Sequence, residues 1–317
     1  MLAACLTEPQ KFSLQEMSEP TPNVDEVFFR IEACGLCASN LGPWKGAPWF
    51  HYPFEPGAPG HEATGVVQAV GSEVKSVRPG DRIAALSLHG FAEYDLAQAD
   101  SVVLLPPDLR ELNFLGEPLG CAVNVCKRAE VEPGSVVGFV GAGFFANLLI
   151  QLVAGPGSRI IVFNRRPESL QLALASGARA VCPTLDSNEG LRALRDFTGG
   201  PLCDVVFEVT GTQKGLDLAT ELTKERGRLV IAGYHQDGNR TINLQLWNWR
   251  GIDVINAHER ERSVQIQGVK EAVLRLQAGE LRIDSLVTHQ VRLSEINAAF
   301  ELAASRPPGF IKAVIYP

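Results

Sequence analysis

Hydrophobic and polar positions follow two different patterns along the chain, and the change lies near residue 120. Before that point, glycine and proline recur every few residues between short apolar runs, which is typical of an irregular β domain. We expect strands in three of these runs, at 24–31, 63–70 and 81–86. The sequence RPGD at 78–81 predicts a turn between two of them.

Beyond about residue 120, apolar runs suited to buried strands alternate with helix-like segments. The predicted strands are 135–140, 159–163, 203–209 and 227–232, and the predicted helices are 146–153 and 167–175. This alternation is typical of a doubly wound parallel sheet, whose strands are buried on both faces. The last part of the chain, from about 260, returns to a mixed pattern and ends with a predicted strand at 311–316.

A glycine-rich turn joins the first predicted strand of this second region to its first predicted helix. The turn reads VGAGFFA, with Gly141 and Gly143 followed by Phe144 and Phe145 at the helix start. Glycine allows a tight turn and lets backbone N–H groups approach a pyrophosphate, which lies at the positively polarised helix N-terminus. In this strand–turn–helix context the sequence predicts a dinucleotide site.

The second strand of the same region indicates which dinucleotide is preferred. A site for NAD usually ends this strand with Asp or Glu, about 20 residues after the glycines, to bind the ribose hydroxyls. Here Asn164 stands at that position, and Arg165 and Arg166 follow it. A guanidinium matches a phosphate with paired hydrogen bonds, so the sequence favours NADP(H) over NAD(H). The alternative interpretation is that the two arginines form a solvated turn.

Candidate metal ligands occur in three separate segments of the first region. They are Cys34 and Cys37 within 33–40, His61 and Glu62 within 57–65, and Glu117 within 115–120. Each segment alone is ambiguous, since a C-x-x-C pair can be a redox dithiol, half of a zinc site or two buried thiols. The order of the three segments along the chain makes the pattern specific.

In this order the motifs resemble the medium-chain dehydrogenase/reductase superfamily, in its branch of zinc-dependent alcohol and polyol dehydrogenases. The resemblance covers essentially the whole chain. It also includes AVGSEV (69–74), RPGDR (78–82), GFAEY (90–94), GAG (141–143), VTG (209–211) and IKAVI (311–315). It implies an α/β protein with a chaperonin-10-like β catalytic domain and a Rossmann nucleotide-binding domain. The expected domains are catalytic at 1–120, NADP-binding at 121–258, and a return to the catalytic domain at 259–317.

The resemblance also implies one catalytic zinc per chain. Carried over to this chain, the expected ligands are Cys37, His61 and Glu117. Such a set leaves zinc a fourth position for a substrate oxygen. Glu62 would be an accessory or exchangeable ligand, and Cys121 is the alternative third ligand. Ser39 would relay the proton, so that C-x-S is the informative unit of the first segment and Cys34 only packs.

Further cofactor contacts are expected at Thr210 and Gly233 in the nucleotide domain. Lys312, in the final strand, is expected to reach the pyrophosphate. The expected substrate-pocket residues are Trp44, Phe50, His89 and Tyr234. The aromatic segment 43–52 between the first two metal ligands is either a wall of this pocket or an apolar plug.

The chain departs from the family pattern in three places. No cysteine lies between Cys37 and Cys121, so the four-cysteine lobe that holds a second, structural zinc in many members is not expected. Asn40 stands where the family often has an aspartate that supports the ligand histidine. Gly42 replaces a relay histidine of some members, and this leaves the outer proton path open.

Composition narrows the class of protein further. A chain of 317 residues that is 45% hydrophobic is long enough for two domains. Its net charge of −7 argues against nucleic acid or an anionic membrane as the main partner. We expect neither a membrane span nor a secretory signal. The seven scattered cysteines indicate reduced thiols in a cytoplasmic protein.

The resemblance implies a zinc-dependent oxidoreductase that interconverts a secondary alcohol and its ketone, and the arginines after the second strand predict that it prefers NADP(H). The alcohol would be polyol-, cyclitol- or sugar-like, or a bulkier cyclic one, and the protein would form a homodimer or homotetramer. One alternative is a metal-independent quinone or enone reductase of the same superfamily. Another is a non-catalytic NADP-binding protein.

Overall fold

The computed structural model describes residues 1–109 and 115–317. The chain divides into two compact units, of which the first combines Met1–Cys121 with Arg260–Pro317 and the second is Ala122–Glu259. The first unit therefore takes in both ends of the sequence, and the second is one continuous segment. The sequence predicts these boundaries after residues 120 and 258.

Strands and helices are numbered in chain order. The strands are β1 (Leu2–Glu8), β2 (Lys11–Glu16), β3 (Glu26–Gly35), β4 (Ala63–Val70), β5 (Arg82–Ala85), β6 (Tyr94–Gln98), β7 (Val102–Leu104), β8 (Val136–Val140), β9 (Arg159–Phe163), β10 (Ala180–Cys182), β11 (Cys203–Glu208), β12 (Thr223–Ile231), β13 (Asp253–Asn256), β14 (His289–Arg292) and β15 (Ala313–Tyr316). The helices are α1 (Leu41–Lys45), α2 (Gly116–Ala129), α3 (Phe144–Val153), α4 (Pro167–Ala175), α5 (Ser187–Thr198), α6 (Gln213–Leu222), α7 (Leu244–Arg250), α8 (Arg262–Gln277) and α9 (Ile296–Ser305). Within the described residues, no helix is both long and apolar enough to cross a membrane.

The first unit is a mainly antiparallel β structure. β1 and β2 form a ribbon, and the other strands form a seven-stranded sheet in the order β14-β15-β3-β4-β5-β7, with β6 also paired to β3. Its core includes three phenylalanines from distant parts of the chain, Phe29, Phe91 and Phe300. The final strand, β15, lies between β14 and β3, so it completes the sheet that the N-terminal region begins.

The second unit is a six-stranded parallel sheet in the order β10-β9-β8-β11-β12-β13. All five residues of β8 are buried, and Phe139 of β8 stacks on Phe207 of β11 with ring centroids 4.6 Å apart. The strand order reverses between β8 and β11. In such sheets ligands bind outside the carboxyl ends of the strands at this switch point. The predicted pairing of a β catalytic domain with a Rossmann domain is therefore confirmed.

Candidate active site

A short turn after β3 places the first candidate ligand, Cys37. The turn continues into the 3-10 segment Ala38–Asn40, which contains the half-buried Ser39. Asn40 is 1% exposed, and its side-chain oxygen accepts from the Cys37 backbone N at 2.9 Å. Its Nδ2 donates to the Pro59 carbonyl at 2.8 Å. Asn40 therefore ties the Cys37 turn to the loop that precedes β4.

The same loop fixes the ring of His61. Its Nδ1 lies 3.0 Å from the Pro59 carbonyl oxygen. A neutral imidazole that donates from Nδ1 keeps the Nε2 lone pair, and in this tautomer Nε2 can bind a metal. Burial alone would lower the pKa of the ring, but the hydrogen bond and charge of Cys37, followed by the charges of Glu117 and Glu62, raise it to about 10. Without a metal, the imidazole is therefore protonated at neutral pH.

Three side chains of the first unit form a candidate metal group. One ligand atom each from Cys37, His61 and Glu62 lies within 4.8 Å of the others. In the part of the chain that the structure describes, this is the one such group of three. A thiolate, an imidazole and a carboxylate are ligands of zinc, whereas calcium and magnesium favour oxygen ligands. The donor set therefore fits zinc.

Glu117, the predicted third ligand, lies in the first turn of α2. Its ligand atom is not part of the group of three, although its charge acts on His61. Its Oε1 accepts from the Cys121 thiol at 3.0 Å. Burial, followed by the charge of Glu117, raises the pKa of Cys121 well above its usual value. Glu117 and Cys121 are therefore hydrogen-bonded to each other, and the choice of Glu117 over Cys121 as third ligand stays a prediction.

Glu62 is fully buried and paired with a buried cation. Its two carboxylate oxygens lie 2.6 and 2.7 Å from Nζ of Lys312, which is 5% exposed. A Cβ at Gly35 would come within 1.8 Å of the Glu62 carboxylate, so glycine there gives Glu62 its space. Burial alone would lower the pKa of Lys312, but the charge of Glu62 raises it. Its ammonium neutralises a buried carboxylate, and the expectation that Lys312 also reaches the pyrophosphate stays a prediction.

The two glycines of the predicted dinucleotide turn have different environments. Gly141 has φ +112°, which L side chains rarely adopt, and a Cβ there would lie 3.1 Å from Thr210. Gly143 precedes α3 with φ −77°, and a Cβ there would meet no protein atom within 4 Å. The packing of the protein does not require glycine at 143. The space beside it is available to a ligand, which fits a pyrophosphate at the start of α3.

At the start of α3, the side chain of Phe144 is buried, so only its backbone can contact a ligand. Phe145 is half-buried. Asn164 follows β9, Arg165 is exposed, and Arg166 is the residue before α4. These residues lie at the carboxyl end of the strand beside β8. The glycine turn lies at the same edge, at the carboxyl end of β8 itself.

Trp44, predicted to line the substrate pocket, lies in the core of the first unit. It is 5% exposed, and its ring centroid is 6.0 Å from that of Phe300. The sequence prediction for Trp44 is corrected because the short helix α1 turns this side chain inward, where a large apolar ring gains most from burial.

The other predicted pocket residues are more accessible. Phe50 is half-buried beside Trp49, which is 50% exposed. His89 lies in the first unit with Nε2 2.9 Å from a carboxylate oxygen of Glu55. Tyr234 belongs to the second unit and is 64% exposed. Their contact with a substrate stays a prediction.

A buried carboxylate at the end of β11 was not predicted from the sequence. Glu208 is fully buried and accepts from the backbone N of Thr210 at 2.7 Å. Gly233, predicted to contact the cofactor, is packed against it, since a Cβ there would lie 2.7 Å from the Glu208 carboxylate. The sequence signal that could have identified Glu208 is a charged residue at the end of a predicted buried strand. Its partners follow in two different loops, which the linear pattern does not connect.

Comparisons with known proteins show which family of proteins the chain resembles in sequence and fold. A family model described as "Alcohol dehydrogenase GroES-like domain" matches residues 23–150, and one described as "Zinc-binding dehydrogenase" matches residues 146–272. The chain is 25% identical to D-arabinitol dehydrogenase 1 of Uromyces fabae, over 96% of this chain and 95% of the relative. It is 27% identical to sorbitol dehydrogenase of Ovis aries, over 92% and 90%. The structure of mycobacterial Rv1454c complexed with NADPH is similar, with a TM-score of 0.86 at 21% identity, over 100% of both chains.

Proposed function

Because this chain belongs to the medium-chain dehydrogenase/reductase superfamily, we propose that it is a zinc-dependent, NADP(H)-preferring oxidoreductase that interconverts a secondary alcohol and its ketone. The observation that carries the proposal is the grouping of Cys37, His61 and Glu62 in the first unit. Two relatives are named for D-arabinitol and sorbitol, which supports a polyol as the alcohol.

In this proposal Cys37, His61 and Glu117 hold the zinc, and Glu62 is an accessory ligand. When bound, zinc acts as a Lewis acid toward the substrate oxygen. Asn40 and the Pro59 carbonyl hold the ligand turn and the imidazole ring in place. Lys312 compensates the charge of Glu62. The thiolate of Cys37 and the carboxylate of Glu117 then supply two negative charges, which match one Zn²⁺.

Proton movement is assigned to Ser39. Its hydroxyl can accept one proton and donate another, as a relay between a buried alcohol and solvent requires. Its half-buried position, two residues after Cys37, is consistent with this role. In the second unit, the turn at Gly141 and Gly143 holds the pyrophosphate. Arg165 and Arg166 bind the 2′-phosphate, and the nicotinamide carries the hydride.

Zinc content and turnover of ligand variants test the proposal. We expect one zinc per wild-type chain by elemental analysis, and turnover of a polyol panel that includes D-arabinitol and sorbitol. Glu117→Ala should lose both zinc and turnover. Cys121→Ser, one helical turn away, is the matched control and should keep both. Zinc retained in Glu117→Ala and lost in Cys121→Ser would transfer the third position to Cys121. Zinc retained in Cys37→Ser and in His61→Ala would refute the site.

A further inference from the structure

Two loops at the carboxyl edge of the parallel sheet share one buried anion, Glu208. The loop after β11 donates to it from the backbone N atoms of Thr210, at 2.7 Å, and Gly211, at 3.1 Å. The loop after β12 donates from His235, whose Nε2 lies 2.9 Å from the other carboxylate oxygen. Because Glu208 is fully buried, these donors replace the water that would otherwise solvate its charge.

Arg240 closes this network from the solvent side. Its Nε donates to His235 Nδ1 at 2.8 Å, and its Nη2 donates to the Gly211 carbonyl at 2.7 Å. It also pairs with Asp237. A guanidinium can only donate, so His235 Nδ1 accepts and the ring proton is on Nε2, directed to Glu208. We call Glu208, His235 and Arg240 the loop clasp.

A second pair of hydrogen bonds joins the loop after β12 to the first residue of α6, the helix that follows the loop after β11. Gln213 Nε2 donates to the Thr241 carbonyl at 2.8 Å, and the Thr241 backbone N donates to Gln213 Oε1 at 3.0 Å. The backbones of the loops after β11 and β12 also pack closely, since a Cβ at Gly233 would lie 2.4 Å from the Gly211 backbone N. The loop after β12 is therefore held at one end against the loop after β11 and at the other end against the start of α6.

The location of the loop clasp in the sheet indicates which half of the cofactor lies beside it. The strand order divides the sheet into one half built on β8, β9 and β10 and another built on β11, β12 and β13. A dinucleotide binds across the switch point between such halves, with one mononucleotide on each. The glycine turn and the two arginines belong to the first half, which leaves the nicotinamide mononucleotide for the loops after β11 and β12.

We propose that His235 and Arg240 are positioning residues that hold these two loops in the conformation that binds the nicotinamide half of the cofactor. This inference rests on the proposed NADP(H) function. The clasp acts through the backbone of Thr210 and Gly211 and through the loop that carries Gly233. Loosening the clasp should weaken binding of the whole dinucleotide and spare binding of its adenosine half.

Titration of the 317-residue chain with two probes tests the proposed role of the loop clasp. The probes are NADPH and adenosine 2′,5′-bisphosphate, which lacks the nicotinamide mononucleotide. Arg240→Met should raise the Kd for NADPH about tenfold, equivalent to about 1.4 kcal/mol, and change the Kd for the bisphosphate less than twofold. Arg192→Met, an exposed arginine on α5, is the matched control and should change neither value.

A second variant and a spectroscopic measurement separate positioning from folding. His235→Gln, which keeps a donor for Glu208, should recover part of the NADPH affinity that His235→Ala loses. ¹⁵N NMR of wild-type protein should show the His235 ring proton on Nε2, and Arg240→Met should alter that signal. Equal loss of both probes, or unchanged NADPH affinity in Arg240→Met, would overturn the inference. If wild-type protein binds neither probe, the proposed function fails, and the inference falls with it.

Discussion

Substitution of Gly143 by alanine distinguishes a glycine kept for a ligand from one kept for the fold. The new methyl group would meet no protein atom within 4 Å, and φ −77° is ordinary for alanine. Alanine is a poorer helix N-cap than glycine, which destabilises the fold, but it also restricts the unfolded chain, which stabilises the fold. Each effect is worth up to about 1 kcal/mol. The free energy of unfolding should therefore change by less than about 1 kcal/mol.

Cofactor binding should respond much more strongly. The methyl group would occupy the space assigned to the pyrophosphate and displace it from the backbone N–H groups. A hydrogen bond to a charged group contributes about 1.5–3 kcal/mol, so losing one raises Kd roughly 10- to 150-fold. The assay is NADPH titration by fluorescence, paired with urea unfolding of the cofactor-free protein.

Gly141→Ala is the matched control for this prediction. Its φ of +112° and the 3.1 Å approach of its Cβ to Thr210 should destabilise the fold, by about 1–3 kcal/mol for the backbone strain. Wild-type NADPH affinity in Gly143→Ala would refute the assignment of the pyrophosphate. Equal destabilisation of the two variants would refute the distinction between the two glycines.

Three further predictions concern the cofactor, the metal and the core. Replacing both Arg165 and Arg166 by alanine should lower the preference for NADP(H) over NAD(H) at least tenfold in steady-state kinetics; an unchanged ratio would contradict the 2′-phosphate assignment. The raised pKa of His61, about 10 in the metal-free site, means that zinc displaces a proton at neutral pH. Zinc affinity should therefore rise at least tenfold per pH unit from pH 6 to 9 in competition titrations, and a flat profile would contradict this. Trp44→Phe should lower the free energy of unfolding and leave KM for the alcohol unchanged, whereas a changed KM would return Trp44 to the pocket.

Much of the fold was predictable because local patterns coincide with burial. The predicted strands 63–70 and 159–163 and the predicted helix 167–175 match β4, β9 and α4 residue for residue. Each is an apolar run or helical pattern close to glycine or proline. β13 was not predicted, because a four-residue strand at the sheet edge has no fully buried residue and little hydrophobic signal.

Only those residues of the candidate site that lie in motifs with a recognisable order along the chain were predictable from the sequence. The order of Cys37 and His61 along the chain indicated residues that the structure brings together. The partner of Lys312 lies 250 positions earlier in the sequence, and the pairing of β3 with both β15 and β4 brings the two together. The loop clasp was missed for a related reason, since Glu208 ends β11 whereas His235 and Arg240 lie in the loop after β12, and the fold brings these segments together at one sheet edge.

The central claim is that zinc held by the first unit is required for NADP(H)-linked oxidation of a polyol. The most direct test measures NADPH-linked turnover before metal removal, after chelation, and after zinc is restored to the stripped protein. We expect turnover that is lost on chelation and regained in proportion to zinc, reaching its limit at one zinc per chain. Full turnover in the stripped protein would contradict the claim.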